Sequence, residues 1–444
     1  MSIEELNKKI KNKEAKIAVI GLGYVGLPVA ALFAKTGFDV LGIDIKKDRV
    51  DKINSGLSPI EGYEPGLEEL LAKVIEKKSL TASTDYGLIA GSEIILIDVE
   101  TPVDEHNVPQ YVALRSALCS LAAVIKEGAL IIIESTIAPG TMKKVVQPIL
   151  EEKSGKKLNQ GFYLGNCPER VMPGKLLHNL QNLSRVVGGS SPVISNTMVS
   201  LYDHIVEADL DPTDWITAEL VKTVENTYRD VQIAFANEMA LICEALGGDV
   251  WKVRELVNKS PFRNMHLPGA GVGGHCIPKD PWLLAHGVSD HDTPLKMIPA
   301  ARQVNDAMPM HMLDLLFQAM VEVDISLTGS TILVMGYAYL EGSDDIRNSP
   351  SKVLIERLKE LGARIIVHDP YVGDYQSDLD DCFAEVDAAI IMVAHSEYQD
   401  LKFEDLRKNE RLKILIDGRH VLDPEEVAKT KLIYRCVGKK AFLV

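Results

Sequence analysis

The chain has 444 residues, more than one hydrophobic core usually supports, so its length predicts two or three domains. Its composition, 46% hydrophobic and 25% charged, is that of a globular protein, and a net charge of -15 disfavours a general role in binding nucleic acid or anionic membranes. The N-terminus is charged, and the apolar run at 17–34 is interrupted by glycines, so we expect neither a secretion signal nor a membrane span. The six cysteines include no CxxC pair, which favours reduced thiols in the cytoplasm.

The N-terminal part alternates between strand and helix patterns. An apolar run at 16–20 meets the sequence GLGYVG at 21–26, a helical pattern follows to Gly37, and a second strand pattern ends at Asp44. Further strand patterns lie at 93–99, 129–135 and 161–166. Strands that alternate with helices in this way predict an open parallel sheet.

The middle of the chain predicts one long helix. Residues 213–246 contain neither glycine nor proline, follow Asp211-Pro212 as N-cap and first helical residue, and end at Gly247-Gly248. A helix of roughly thirty residues spans about 45 Å. Such a helix can connect two domains and form an oligomer interface, so we expect a dimer.

The C-terminal third repeats the first pattern, with strand patterns at 331–336, 364–370, 388–394 and 413–418 and a helical pattern at 351–362. The predicted fold class is therefore α/β, with two Rossmann-like α/β domains joined by a long central helix and an α-helical dimerisation region. The predicted boundaries are 1–205, 206–325 and 326–444.

The glycine sequence at 21–26 fits G-x-G-x-x-G, follows a strand, opens a helix and is followed at the expected spacing by Asp44. The glycines allow a pyrophosphate to approach closely, and the carboxylate of Asp44 can accept hydrogen bonds from ribose hydroxyls. Glycine-rich turns also occur for purely structural reasons, but the full context favours dinucleotide binding. Because Asp44 would repel a 2′-phosphate, NAD is favoured over NADP.

A second glycine-dense loop at 268–282 leads into Cys276, with Asp280-Pro281 predicted to cap a following helix. The helix dipole, and Lys279 if it points inward, could lower the pKa of the thiol and make it a nucleophile. The alternative is an inert packed cysteine, and this is our interpretation of the other five, Cys119, Cys167, Cys243, Cys382 and Cys436. His275 has no second cluster of metal ligands at suitable spacing, so we predict no metal.

Lys222 and Asn226 are one turn apart on the long helix, and Glu219 and Arg229 lie nearby on the same side. Taken alone, this pattern is most simply interpreted as a solvated polar stripe.

Together, several motifs resemble those of the UDP-sugar 6-dehydrogenases, and the resemblance covers nearly the whole chain. The motifs are GLGYVGLP at 21–28, ESTIAPGT at 134–141, CPER at 167–170, ELVKTVEN at 219–226, GVGGHCIPKDP at 271–281 and DDIRNSPS at 344–351. The resemblance implies an N-terminal NAD-binding domain, a central helix that mediates dimerisation and a C-terminal domain that closes over UDP.

The resemblance also implies roles for individual residues in the oxidation of a sugar alcohol to a carboxylate. Cys276 would be the nucleophile, Lys222 and Asn226 would stabilise an oxyanion, and Asp280 would position water and Lys222. Glu169 and Thr136 would act at the reacting carbon. The implied cofactor contacts are Gly21, Gly23, Tyr24, Val25, Gly26, Asp44, Arg49, Thr101, Thr136 and Arg347. The implied substrate contacts are Glu169, Arg170, Lys222, Asn226, Arg263, His266, Gly273 and Arg419.

Two departures from the family pattern bear on the substrate. Leu340 stands where relatives commonly have a lysine that helps to hold the substrate, and we assign no role to Leu340 or Glu341. The sequence GGHC at 273–276 resembles the branch that acts on N-acetylhexosamine nucleotides, which favours UDP-N-acetyl-D-mannosamine. UDP-N-acetylglucosamine, UDP-N-acetylgalactosamine and UDP-glucose remain alternatives. More distant alternatives are a β-hydroxyacid dehydrogenase-like enzyme and a non-catalytic NAD-binding protein.

Overall fold

The computed structural model describes residues 1–60, 62, 64–401, 409–430 and 432–440, which form two compact units. The first unit comprises Met1–Glu225 and Lys279–Thr293. The second unit comprises Asn226–Pro278 and Pro294–Val444. The division between Glu225 and Asn226 falls inside the long helix.

The first unit contains an eight-stranded sheet in the order β3-β2-β1-β4-β5-β6-β7-β8. Its strands are β1 Ile17–Ile20, β2 Val40–Ile43, β3 Leu80–Ser83, β4 Ile94–Ile97, β5 Ala129–Ile133, β6 Phe162–Asn166, β7 Arg185–Gly189 and β8 Leu210–Asp214. Neighbouring strands are parallel except for β6 and β7, which are antiparallel. The five predicted strand patterns of this part are confirmed, whereas the sequence interpretation missed β3, β7 and β8.

Helices cover both faces of this sheet. They are α1 Ile3–Lys11, α2 Gly26–Thr36, α3 Lys47–Asn54, α4 Leu67–Glu76, α5 Val112–Ala122, α6 Gln147–Ser154, α7 Leu176–Asn182 and α8 Pro192–Tyr202. Along β1, Ile17 and Val19 belong to one apolar core, whereas Ala18 and Ile20 belong to the other. This alternation explains why the central strands are continuous apolar runs, because both of their faces are buried.

Four helices follow the first sheet: α9 Trp215–Leu246, α10 Val250–Asn258, α11 Asp280–His286 and α12 Met297–Glu322. The predicted long helix is confirmed as α9, but the predicted start was wrong. Asp211 and Pro212 belong to β8, an edge strand that pairs with β7 and can therefore accommodate a proline. Asp214 accepts a hydrogen bond from the Thr217 amide at 3.0 Å and so satisfies the start of α9.

The predicted cap of α11 was also one residue off. The helix begins at Asp280 and Lys279 is the flanking residue, so Asp280 lies in the first turn together with Pro281. A carboxylate in the first turn of a helix is electrostatically favourable, as it is at the cap.

The second unit contains a five-stranded parallel sheet in the order β10-β9-β11-β12-β13. Its strands are β9 Thr331–Met335, β10 Arg364–His368, β11 Ala388–Ile391, β12 Ile414–Asp417 and β13 Ile433–Cys436. Its further helices are α13 Pro350–Glu360, α14 Leu379–Phe383, α15 Ser396–Gln399 and α16 Pro424–Ala428. The four predicted strands of this part and its helix at 351–362 are confirmed, and β13 was missed.

The predicted fold class is confirmed, since a predominantly parallel sheet and a second, parallel sheet, each with its helices, are connected by a 32-residue helix. The boundaries at 205 and 325 stay a prediction. Among the described residues, no helix combines the length and the apolar character needed to cross a membrane.

Candidate active site

The glycine turn after β1 is tightly packed on one side and open on the other. The Gly21 amide donates to the Ile43 carbonyl at 2.8 Å, and Gly21 has a φ of +93°. A Cβ at Gly21 would lie 2.4 Å from the Asp98 carbonyl oxygen, and one at Gly26 would lie 2.0 Å from the Gly21 oxygen. A Cβ at Gly23 would meet nothing within 4 Å. Gly21 and Gly26 are therefore required by the turn itself, and the open face at Gly23 fits a pyrophosphate.

Tyr24 and Val25, the other two predicted cofactor contacts in the turn, are held by the rest of the first unit. The Tyr24 hydroxyl donates to Glu64 at 2.5 Å, and Glu64 also accepts from the Gly174 amide at 2.7 Å. Val25 is partly buried against the apolar core. The turn is thus tied to the loop at 171–175, which follows the CPER sequence.

Asp44 directly follows β2 and is 5% exposed. One of its oxygens accepts from the Leu22 amide at 3.0 Å and from Arg49 at 2.8 Å, and the other accepts from the Lys46 amide at 2.9 Å. A carboxylate offers about four acceptor positions, so this set leaves room for a ribose hydroxyl. The structure therefore brings Asp44 and Arg49 together beside the glycine turn.

Thr101, Thr136 and Asp280 are brought together by hydrogen bonds and an ion pair with Lys279. The Thr101 hydroxyl donates to the Thr136 carbonyl at 2.6 Å, and the Lys279 ammonium donates to the Thr101 carbonyl at 3.1 Å. The same ammonium lies 3.4 Å from the Asp280 carboxylate, and both side chains are buried. Lys279, which the sequence suggested as a neighbour that could activate Cys276, is thus engaged by Thr101 and Asp280.

Glu169 is a buried carboxylate that faces two cations of the first unit. Its Oε1 lies 2.5 Å from Nη1 of Arg185. Burial raises the pKa of Glu169 to about 7, although Arg185 and Lys222 favour its ionised form. The structure therefore brings the predicted residues Glu169 and Lys222 within electrostatic reach of each other.

Arg170, the neighbour of Glu169, is held by its own contacts within the first unit. Its Nε donates to Glu225 on α9 at 2.8 Å, and its Nη1 donates to the Ser184 carbonyl at 2.6 Å. These bonds fix the end of the CPER sequence against α9.

Glu219 lies one turn before Lys222 and fixes this face of α9. Its two oxygens accept from the Gly140 amide at 2.8 Å and the Met142 amide at 2.7 Å. Burial raises the pKa of Glu219 to about 7. The polar stripe suggested by the sequence is therefore partly buried, because Glu219 binds the loop that follows β5.

Cys276 belongs to the second unit and is exposed, as is Cys119, whereas the other four cysteines are buried, and none of the six forms a disulfide bond. The loop before it packs closely on the segment after β9. A Cβ at Gly273 would lie 2.6 Å from Cβ of Tyr339. The Gly274 amide donates to the Arg347 carbonyl at 2.9 Å, and the Asn348 amide group donates to the Gly274 carbonyl at 3.1 Å.

A chain of buried amides holds the start of the cysteine loop. The Gly269 amide donates to Asn237 on α9 at 2.8 Å, and Asn237 donates to Asn305 on α12 at 2.9 Å. Asn305 in turn donates to Asp230 at 2.7 Å. The loop is therefore fixed at Gly269 and again at Gly274, two residues before Cys276, by hydrogen bonds within the second unit.

The second unit also groups cationic side chains around His266. Burial lowers the pKa of His266, and Arg229, Arg254 and Arg419 lower it further. Such a cluster suits a diphosphate. Arg347 makes two hydrogen bonds to Asp345 through Nε, and its charge is within electrostatic reach of Cys276.

The remaining predicted residues of the second unit differ in their exposure. Arg263 is exposed and donates to the Pro261 carbonyl at 3.3 Å. Asn226 is half-buried on α9, and Leu340 is half-buried after β9. Glu341 is exposed and acts electrostatically on Arg419. The predicted catalytic and ligand-contact roles of the site residues stay predictions.

The second sheet repeats the glycine and acid arrangement of the first. Gly336 follows β9 with a φ of +92°, and its amide donates to the His368 carbonyl at 2.8 Å. Asp369 accepts from the Tyr337 and Ala338 amides at 2.7 and 2.8 Å. It also accepts from the Tyr371 and Val372 amides, and it lies 3.2 Å from His395.

Sequence reasoning missed Asp98, Glu134 and Arg185, which adjoin Glu169 and the glycine turn. The first two directly follow buried parallel strands, β4 and β5. Because the carboxyl ends of parallel strands meet at one edge of a sheet, this placement was a usable signal. Arg185 gave none, since a single arginine before an apolar run usually lies on the surface.

Within the described part of the chain, no three His, Cys, Asp or Glu side chains are grouped so as to hold a metal ion. The prediction of a reaction without a metal stays a prediction.

NAD-dependent dehydrogenases hold their cofactor with an open glycine turn and with an acidic residue at the end of the next strand. The fold and the site place the chain in that class. Three models of the UDP-glucose/GDP-mannose dehydrogenase family match it: the NAD binding domain at 15–206, the central domain at 216–307 and the UDP binding domain at 333–424. The chain belongs to this family. It is an oxidoreductase that uses NAD and acts on a UDP-sugar.

Individual relatives match over nearly the whole chain. The UDP-N-acetyl-D-mannosamine dehydrogenase of Pyrococcus horikoshii is 39% identical over 424 residues, which are 96% of this chain and 99% of the relative. A structure of the UDP-N-acetyl-D-mannosamine dehydrogenase from that organism superposes with a TM-score of 0.89 at 38% identity and covers 96% of this chain and 99% of its own. The NDP-N-acetyl-D-galactosaminuronic acid dehydrogenase of Methanosarcina mazei has a TM-score of 0.88 at 35% identity, with 99% and 98% covered.

Proposed function

We propose that the enzyme oxidises the C6 hydroxyl of a UDP-N-acetylhexosamine to the uronate in two steps, with Cys276 as the nucleophile. The substrate that we favour is UDP-N-acetyl-D-mannosamine. The observation that carries this proposal is an exposed thiol in a loop that is fixed ahead of Cys276 by hydrogen bonds at Gly269 and Gly274. The substrate is supported by the relative from Pyrococcus horikoshii, a UDP-N-acetyl-D-mannosamine dehydrogenase, and by the sequence GGHC at 273–276.

The residues of the glycine turn, with Asp44, would hold NAD, which accepts a hydride in each oxidation step when bound. In the first step the sugar C6 loses a hydride and its hydroxyl proton and becomes an aldehyde. The Cys276 thiolate then adds to C6 and forms a thiohemiacetal. Loss of a second hydride and of the hydroxyl proton gives a thioester, so the aldehyde is never released.

Hydrolysis completes the reaction. Water adds to C6, the C–S bond breaks with its electron pair returning to the sulfur, and the carboxylate leaves. The positive charge of Lys222 and the amide of Asn226 would stabilise the oxyanions of these steps. Asp280 and Thr136 would orient water, and Glu169 would accept a proton from it. Arg229, Arg254 and Arg419, which surround His266, would bind the diphosphate of the substrate.

We further propose a cytoplasmic homodimer with domains at 1–205, 206–325 and 326–444. Several apolar side chains of α9 are more than a third exposed, which is unusual for a surface helix and is typical of an interface: Ile216, Leu220, Val224, Tyr228, Phe235 and Ile242. Light scattering after gel filtration should give twice the chain mass. A monomer that retains full activity would overturn this part of the proposal.

The chemical proposal is tested by stoichiometry and by one pair of variants. Purified enzyme, NAD and a panel of UDP-sugars should give two NADH per uronate, with UDP-N-acetyl-D-mannosamine giving the highest kcat/KM. Cys276→Ser should abolish net uronate formation and leave NAD affinity unchanged, whereas the matched control Cys119→Ser, at the other exposed cysteine, should keep activity. One NADH per sugar, or full turnover by Cys276→Ser, would overturn the thioester route. A preference for UDP-glucose would overturn the substrate assignment.

A further inference from the structure

Five ionisable side chains meet at one edge of the first sheet. Asp98 directly follows β4, Glu134 directly follows β5, Glu169 follows β6 by three residues, Arg185 opens β7 and Tyr202 ends α8. Asp98 also adjoins the glycine turn, since a Cβ at Gly26 would lie 2.9 Å from the Cβ of Asp98. The cluster therefore extends from the dinucleotide turn to the carboxylate of the CPER sequence.

The pairing of β6 with β7 places Arg185 opposite Glu169. These strands are antiparallel, with Asn166 opposite Gly188, and the same register continued by three residues brings Glu169 to Arg185. The ion pair between them measures 2.5 Å, and both residues are more than nine-tenths buried. The Arg185 guanidinium also lies 5.0 Å from the centre of the Tyr202 ring. Arg185 is therefore held in place by its surroundings and in turn holds Glu169.

The other two acidic residues, Asp98 and Glu134, are neighbours at the ends of β4 and β5. The Tyr202 hydroxyl donates to Oε1 of Glu134 at 2.7 Å. Oδ2 of Asp98 and Oε2 of Glu134 are buried and receive no hydrogen bond from any residue that the structure describes. Burial raises the pKa of Asp98 well above its usual range, and the neighbouring Glu134 raises it further. Burial and the neighbouring carboxyl group thus favour the protonated form of Asp98.

Nη1 of Arg185 lies 2.5 Å from Glu169 and 3.5 Å from Glu134, so the charge of Arg185 faces both carboxyl groups. Burial raises the pKa of Glu169 to about 7, so its ionisation changes near neutral pH. The charged groups that face it are Arg185 from β7, Glu134 from the end of β5 and Lys222 from α9, and Asp98 lies within electrostatic reach. Arg185 and Lys222 favour its ionised form, whereas Glu134 opposes it.

We propose that Arg185 is a positioning residue: it holds the Glu169 carboxylate and keeps it ionised, so that Glu169 can take a proton from the water that hydrolyses the Cys276 thioester. This inference rests on the function proposed above. In the step, the water oxygen bonds to C6, its proton passes to Glu169, and the C–S electron pair returns to the sulfur. No oxidant or reductant is needed.

The experiment compares Arg185→Met with Arg185→Lys. Arg435→Met is the matched control, because Arg435 is also a buried arginine and pairs with Glu322 in the second unit. Each enzyme is mixed with NAD and UDP-N-acetyl-D-mannosamine, and the rate of uronate release and the mass of the Cys276 adduct are followed as a function of pH. An opposite charge at this distance lowers the pKa of a carboxylate by about one to three units. Arg185→Met should therefore raise the midpoint of the hydrolysis rate by about one to three pH units, and the thioester should accumulate below that midpoint.

Arg185→Lys, which keeps the charge, should stay close to the wild-type midpoint, and Arg435→Met should match the wild type without accumulating the thioester. If Arg185→Met does not fold, Arg185→Gln removes the same positive charge but keeps a polar side chain, and it should show the same shift. A wild-type pH profile in either of these two neutral variants would overturn the proposal.

The wild-type enzyme in the same assay separates this proposal from the underlying function. One NADH per sugar in the wild type overturns the thioester route itself. Two NADH per uronate, together with an unshifted Arg185→Met profile, overturns only the role of Arg185.

Discussion

Two substitutions in the turn at 21–26, Gly26→Ala and Gly23→Ala, should have different effects, the first on the stability of the fold and the second on NAD binding. In Gly26→Ala the new Cβ would lie 2.0 Å from the Gly21 carbonyl oxygen. A carbon and an oxygen normally approach no closer than about 3.3 Å, so the turn must open by more than about 1 Å. Such overpacking costs about 1–3 kcal/mol, and backbone obstructs the methyl, so we expect about 3 kcal/mol. For a unit of this size that is a fall in Tm of roughly 6–12 °C.

Gly23→Ala should leave the fold intact. Its Cβ would meet nothing within 4 Å, and its φ is not in the left-handed region. The alanine also restricts the unfolded chain, which stabilises the protein by up to about 1 kcal/mol. The methyl would instead occupy the space for the pyrophosphate and should raise the KM for NAD at least tenfold, which corresponds to about 1.4 kcal/mol.

Thermal unfolding with and without NAD, together with the KM for NAD, distinguishes the two variants. Gly23→Ala should unfold at the wild-type temperature but lose most of the stabilisation that added NAD provides. If it binds NAD within twofold of the wild type, the pyrophosphate does not lie over Gly23. A Gly26→Ala enzyme with the wild-type Tm would refute the contact argument.

Three further changes test the contacts around the site. Asp44→Asn removes the negative charge and frees Arg49, so the ratio of kcat/KM for NADP to that for NAD should rise about tenfold or more, measured by NADH and NADPH formation. Burial raises the pKa of Glu219 from its ordinary value of 4.5 to about 7. The protonated side chain therefore stabilises the folded protein fully below pH 4.5, and this stabilisation is lost as the pH rises through 7. The Tm difference between wild type and Glu219→Gln should therefore shrink across that window. Asn237→Ala leaves the Gly269 amide without its acceptor and should lower the free energy of unfolding by about 1–3 kcal/mol in denaturant titrations.

Each of these results has a contrary outcome. An unchanged cofactor ratio in Asp44→Asn would show that Asp44 does not select the ribose. A pH-independent Tm difference would show that Glu219 does not titrate in the folded protein, and a fully stable Asn237→Ala enzyme would show that the Gly269 bond does not hold the loop.

The sequence was sufficient to predict elements with strong local signals. The βαβ unit around the glycine turn was found because glycines, apolar runs and Asp44 follow one another closely. β8 was missed because it is a polar edge strand, and its Pro212 resembled the start of a helix. The role of Arg185 depends on the pairing of β6 with β7, and pairing between strands is a property of the fold that single-sequence patterns do not encode.

The two glycine turns have a consequence for how an acid at the end of a strand should be interpreted. Asp369 accepts four backbone hydrogen bonds and pairs with His395, so its oxygens are saturated by the protein itself. Asp44 accepts two backbone bonds, and its third partner is a side chain that can move. The acid beside the glycine turn is thus open to a ligand in the first sheet, whereas in the second sheet it is an internal brace. Counting the donors already bound to such a carboxylate separates acids that are open to cofactor redesign from those whose replacement would damage the fold.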